Sequence, residues 1–85
     1  MISTSQVSVG TTATTLFTAS GKTNIAIRKL ADNTNLYIGI SSVTTGNGFW
    51  LKGTDTPVYL TLSHGDVLYG IVQSGTEAVA LIATN

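Results

Sequence analysis

The chain has no cysteine, one proline, one histidine and one tryptophan among 85 residues, and only 9% of it is charged. Each scarcity closes a route. Without cysteine there is neither a disulfide framework nor a thiolate metal site, and a lone histidine, His64, leaves zinc short of the nitrogen and sulfur ligands it prefers. The charged fraction compares with about 25% in an ordinary soluble domain. Its four basic residues, Lys22, Arg28, Lys29 and Lys52, are balanced by four acids to zero net charge. A nucleic-acid grip needs a basic stripe that displaces counterions from phosphates, and four scattered cations do not make one. The start, Met1-Ile2-Ser3-Thr4-Ser5-Gln6, has neither the basic residue nor the apolar run of a secretory signal. The uncharged apolar run at 78–83 is far short of the roughly 20 residues that span a bilayer. The expectation is a protein made soluble in the cytoplasm, with no membrane or nucleic-acid partner and no cofactor.

A chain this short holds one core and buries only roughly 60–65% of the surface its unfolded form exposes. Hydrophobic burial is then barely ahead of conformational entropy, and with disulfides closed off, self-assembly is the expected source of added stability.

What the chain does have is β-forming residues throughout, chiefly Thr, Val, Ile and Tyr, while Glu, Lys, Gln and Arg are sparse. Leu36, Ile38 and Ile40 alternate with Tyr37 and Gly39, and Val58, Leu60 and Leu62 with Tyr59 and Thr61. Such a period of two marks half-buried strands. Further strands are expected at 6–9, 14–18, 23–30, 49–51, 67–72 and 78–83. Turn clusters such as Ser20-Gly21, Gly46-Asn47-Gly48, His64-Gly65-Asp66 and Ser74-Gly75 recur between them. The fold class is therefore all-β, a small antiparallel β-barrel or β-sandwich of about eight short strands built by hairpins. Residues 1–6 are expected as a flexible N-terminal arm and 7–85 as a single domain. The core is expected from Ile25, Ile27, Leu36, Ile38, Ile40, Phe49, Leu51, Leu60, Leu62, Val67, Ile71, Val79 and Leu81. The last two strands are apolar on both faces, which fits either central strands of a closed barrel or an outer face meeting a second subunit.

No catalytic constellation emerges. Ser63 beside His64 would point to the opposite side of a strand end, and Gly39-Ile40-Ser41-Ser42-Val43 begins like a nucleophile elbow but lacks its closing glycine. Gly46-Asn47-Gly48 opens like a phosphate loop, but no helix follows to supply an N-terminal dipole. Asp32-Asn33-Thr34-Asn35 gathers oxygen ligands as calcium loops do, yet Tyr37 stands where that loop needs glycine, so a plain turn is the expectation. The acids Asp32, Asp55, Asp66 and Glu77 fall in separate turns, where carboxylates are normally just solvated.

The residues that invite a partner are Trp50, Tyr37, Tyr59 and Arg28. Alternation that turns Phe49 and Leu51 inward leaves Trp50 outward, as an interface anchor, a sugar-stacking platform or a ring packed under the preceding loop. Arg28 and Lys29 are adjacent in one strand, so one of them points inward. That charge would protect an edge strand from aggregation or pair with a turn acid such as Asp32 across a subunit interface.

The order of Val7-Ser8-Val9-Gly10-Thr11-Thr12, Ile25-Ala26-Ile27-Arg28, Leu36-Tyr37-Ile38-Gly39, Val43-Thr44-Thr45-Gly46-Asn47-Gly48-Phe49, Asp66-Val67-Leu68-Tyr69-Gly70 and Gly75-Thr76 resembles small virion proteins of tailed bacteriophages. The resemblance lies in strand and turn pattern over nearly the whole chain. It departs from the usual pattern at Lys29-Leu30, where asparagine commonly follows the arginine-containing strand. It implies a non-enzymatic capsid decoration, cement or fibre-base module on the virion surface, trimeric, with the major capsid protein or another virion protein as partner. The other expectation is a carbohydrate-binding or host-adhesion module of a tail fibre, which would need several exposed aromatics on one face.

Overall fold

The computed structural model describes residues 2–31, 34–51 and 57–85. Its eight strands are β1 (Ile2–Val9), β2 (Thr14–Thr18), β3 (Thr23–Lys29), β4 (Leu36–Gly39), β5 (Phe49–Leu51), β6 (Val58–Leu62), β7 (Val67–Val72) and β8 (Glu77–Thr84). They form two four-stranded antiparallel sheets, ordered β1-β8-β3-β6 (sheet A) and β2-β7-β4-β5 (sheet B). The fold is a β-sandwich; the barrel is not closed.

Among the described strands, only the consecutive pair β4 and β5 forms a hairpin; every other consecutive pair is divided between the two sheets. Gly46-Asn47-Gly48 lies in that hairpin, whereas Ser20-Gly21, His64-Gly65-Asp66 and Ser74-Gly75 serve as arches instead, because Gly, Asn, Asp and Ser reverse the chain equally well in either setting. Two glycines hold positive φ where an L side chain would strain, Gly65 in the β6–β7 arch and Gly75 in the β7–β8 arch. The first arch is closed by Asp66, whose Oδ2 accepts from Ser63 N at 2.8 Å, and is tied down by Ala19 N donating to Asp66 O.

Inward positions of both sheets supply the core. Ile25, Ile27, Leu36, Ile38, Leu51, Val79 and Leu81 are buried as their alternation predicts, and Leu60 and Leu62 pack partly buried against them. Val9, Leu16, Leu68, Val72 and Ala83 complete the cluster.

Several expectations are corrected. Ile40 is exposed because β4 ends at Gly39 and the chain turns there, with Val43 N donating to Ile40 O. Phe49 is exposed because it begins a three-residue strand at the edge of sheet B. Val67 and Ile71 are half-buried on the outer side of β7, and Leu68 and Val72 take the core. Gly70 fixes that phase: a Cβ there would lie 3.1 Å from Leu16 Cδ1, so the inward slot opposite Leu16 belongs to a residue with no side chain. Residues 2–6, expected as a free arm, are the first half of β1, matched residue by residue with β8 from Ile2↔Thr84 to Val9↔Glu77.

The strand carrying Arg28 and Lys29 is not an edge, since β3 lies between β8 and β6. Lys29 turns inward and is fully buried, as is Glu77 on β8. Lys29 is opposite Val79, so Glu77 occupies the diagonal position on the same inner face, a spacing of roughly 7–8 Å that brings long side chains within reach. Asp32, the expected partner acid and the head of the candidate calcium loop, lies outside the described residues, as do Lys52 and Asp55.

Candidate functional site: the open face of sheet A

The two outer faces of the sandwich differ. Over sheet B the chain folds its own cover: loop 40–48 returns across the face and buries Val43, whose Cγ2 would sit 3.0 Å from a Cβ at Gly39 and 2.9 Å from one at Gly48. The loop holds itself in shape through Asn47, whose Oδ1 accepts from Thr44 N at 2.7 Å, and through Gly48 N donating to Thr44 O. This is what Gly46-Asn47-Gly48 does: glycine at 48 lets the loop lie against the Tyr37 Cβ, where any larger residue would collide at 2.5 Å. Beside it, Tyr37 and Trp50 are directly paired across β4 and β5, and their rings stack with centroids 6.3 Å apart. Trp50 remains 47% exposed.

Sheet A carries no such cover among the described residues. Its register sets outward side chains in rows: Tyr59, Ala26, Ile82 and Thr4; then Thr61, Asn24, Thr84 and Ile2; then Arg28, Ala80 and Gln6. The first row carries the relief. Ala26 is small and its flanking neighbours Tyr59 and Ile82 are large, so a saddle forms with a groove of about 560 Å³ on the Arg28 side and one of about 370 Å³ on the Asn24 side. Tyr59 is 75% exposed and Ile2 70%, high values for large apolar side chains in a folded strand. Asn24 and Thr61 are locked together, Thr61 Oγ1 donating to Asn24 Oδ1 at 2.9 Å. Arg28 is the one charged side chain among these outward positions.

The four sequence-nominated residues thus divide between opposite sides of the molecule, Tyr59 and Arg28 on sheet A and Tyr37 with Trp50 on sheet B. The alanines that floor the grooves, and Ile2 and Ile82 beside them, were not singled out from sequence. The signal was present as the small residues Ala26 and Ala80 at outward phase, but a sheet's outer face and its neighbours are visible only once the strand order is known.

His64 is held outward in the β6–β7 arch, its Nδ1 2.8 Å from Ser20 O. Among the described residues, no three His, Asp or Glu side chains come together as a metal site would need. The chain matches no family model, no curated protein and no solved structure.

Proposed function

We propose that this chain is a non-enzymatic structural module that docks through the open face of sheet A onto an assembled protein shell, the virion decoration role that its resemblance to small tailed-phage proteins implies. The observation that supports it is the bare, saddle-shaped face carrying Tyr59, Ile82 and Ile2 with a single charge. Such a face loses little on desolvation, because charged groups cost most to strip of water, and its affinity comes from shape and apolar area. Tyr59 stands exposed at the β6 end of that row, and tyrosine is among the residue types that most often anchor an interface.

The test mixes purified protein with capsid shells lacking it, at low salt and at roughly 0.5 M, where the screening length falls to about 4 Å. Binding persists at both salts, and Tyr59→Ala weakens it by roughly thirtyfold or more, the size of an anchor residue's loss. Binding abolished by salt, or untouched by Tyr59→Ala, refutes this use of the face.

Exposed Trp50 supports the second reading, a glycan-binding module acting from the other side of the sandwich. Retention on a glycan surface that is lost in Trp50→Ala, together with no shell binding, decides for it.

A further inference from the structure

Every open sheet has edge strands whose unpaired N–H and C=O groups invite another strand, and folded proteins blunt them. Three of the four edges here are blunted. β5 has three residues; β2 has five and a register shift between Thr15 and Phe17; β6 has five and follows directly on Pro57. The fourth, β1, is eight residues of Ile2-Ser3-Thr4-Ser5-Gln6-Val7-Ser8-Val9, paired in unbroken register with β8 on one side. No described strand lies on its other side. It has no charge, no proline and no bulge.

We infer that β1 is a self-association site, at which a second copy of this chain adds its own β1 in antiparallel orientation to join two A sheets into one continuous eight-stranded sheet. The inference is independent of which surface the face of sheet A meets.

The strand's composition selects a second copy as the occupant. A two-fold axis normal to the sheet sets some residue of β1 opposite itself, so any charge near the axis would face a like charge, and β1 carries none. The two halves of the strand also complement each other. The second half is anchored, with Val9 in the core, Val7 packed on it, and Gly10 O accepting from Val72 N at 3.0 Å. In the first half Ser3 and Ser5 share the inward phase of Val7 and Val9 yet are exposed. Antiparallel pairing lays the overhanging half of one copy along the anchored half of the other.

A trimer is the assembly expected from sequence; closed by strand pairing within sheet A, it would instead join β1 to β6 of the next copy. That sets five residues against eight and leaves part of the open edge exposed.

The experiment uses the full chain. Sedimentation equilibrium should give a monomer–dimer equilibrium tighter than about 100 μM. Hydrogen exchange of the β1 amides should slow as concentration rises through that equilibrium, a readout that needs no variant. Gln6 is exposed at outward phase, and both same-face registers that pair most of β1 bring it opposite or diagonal to its own copy. Gln6→Lys and Gln6→Glu should therefore each weaken the dimer by roughly five- to tenfold at low salt, and their equimolar mixture should restore it as a heterodimer. A monomer at all concentrations, a trimer, β1 exchange that ignores concentration, or charge variants that neither weaken association alone nor recover it together each overturn the inference.

Discussion

Ile38→Ala and Ile40→Ala are the same chemical change two positions apart, in a stretch whose alternation alone assigns them the same cost. The structure separates them: Ile38 is 4% exposed and Ile40 70%. Returning a buried isoleucine to water costs about 1.5–3 kcal/mol, and the cavity left behind raises a buried Ile→Ala change to about 2–5 kcal/mol. At Ile38 the upper half of that range applies, because its cross-strand neighbour on β7 is Gly70, which has no side chain to move into the void. At Ile40 only surface is lost, within about 0.5 kcal/mol. A domain of this size has roughly 4–13 kcal/mol of stability in all, and each kcal/mol shifts its melting temperature by about 4–8 °C. Ile38→Ala should therefore lower Tm by roughly 14–40 °C and Ile40→Ala by less than about 4 °C. Urea titrations followed by circular dichroism, with m-values unchanged between variants, give the two free energies directly. Equal losses, or a loss above about 1.5 kcal/mol at Ile40, would mean that β4 continues past Gly39 and that loop 40–48 does not turn where it is placed here.

Two other perturbations test the interior and the cover of sheet B. A Cβ at Gly48 would lie 2.5 Å from the Tyr37 Cβ and one at Gly46 no closer than 3.7 Å to its neighbour, so Gly48→Ala should cost about 1–3 kcal/mol and dim the Tyr37–Trp50 near-ultraviolet signal, whereas Gly46→Ala stays within about 0.5 kcal/mol. Lys29 and Glu77 carry opposite charges at diagonal positions inside the sandwich, so in a double-mutant cycle Lys29→Met and Glu77→Gln should each destabilise by more than the double variant does, with a coupling of about 1–3 kcal/mol; strictly additive losses would show that the two charges do not sense each other.

Strand existence was legible because it rests on local chemistry. All eight strands fall within a few residues of the places that β-branched runs and turn clusters mark. Facing was legible only where alternation was clean, as in β3, whose inward Ile25 and Ile27 are buried as expected. In β7 both phases are apolar, and the choice between Ile71 and Val72 is made by Leu16 on a neighbouring strand, which needs the space that Gly70 leaves. No pattern within β7 contains that information. That one of Arg28 and Lys29 points inward was foreseen, but neither which one nor its setting was: an inward charge reads as edge protection until the sheet order shows β3 in the interior of its sheet. Residues 2–5 were missed as strand for a related reason. Serine and threonine with one terminal isoleucine offer no apolar face, and it is pairing with the strongly apolar β8 that makes them a strand.

The candidate site was less legible than the fold because openness is a relation between segments. Trp50 and Tyr59 look equivalent in sequence, each an outward aromatic in an alternating strand. Loop 40–48 and Tyr37 give the first a partly covered setting, while nothing in the described chain crosses above the second. Residue choices on that open face then acquire a second meaning. Thr4, Thr61 and Thr84 look like ordinary β-formers, and Ala26 and Ala80 like filler. Threonine hydroxyls keep an exposed sheet wetted without charge, and an alanine between larger neighbours makes relief that a partner can fill. Lysine or glutamate at those positions would hold the same strands in the same sheet but would have to be desolvated or paired on docking. On the docking role proposed above, the low charge content that first set this sequence apart leaves a face that can be covered at small cost.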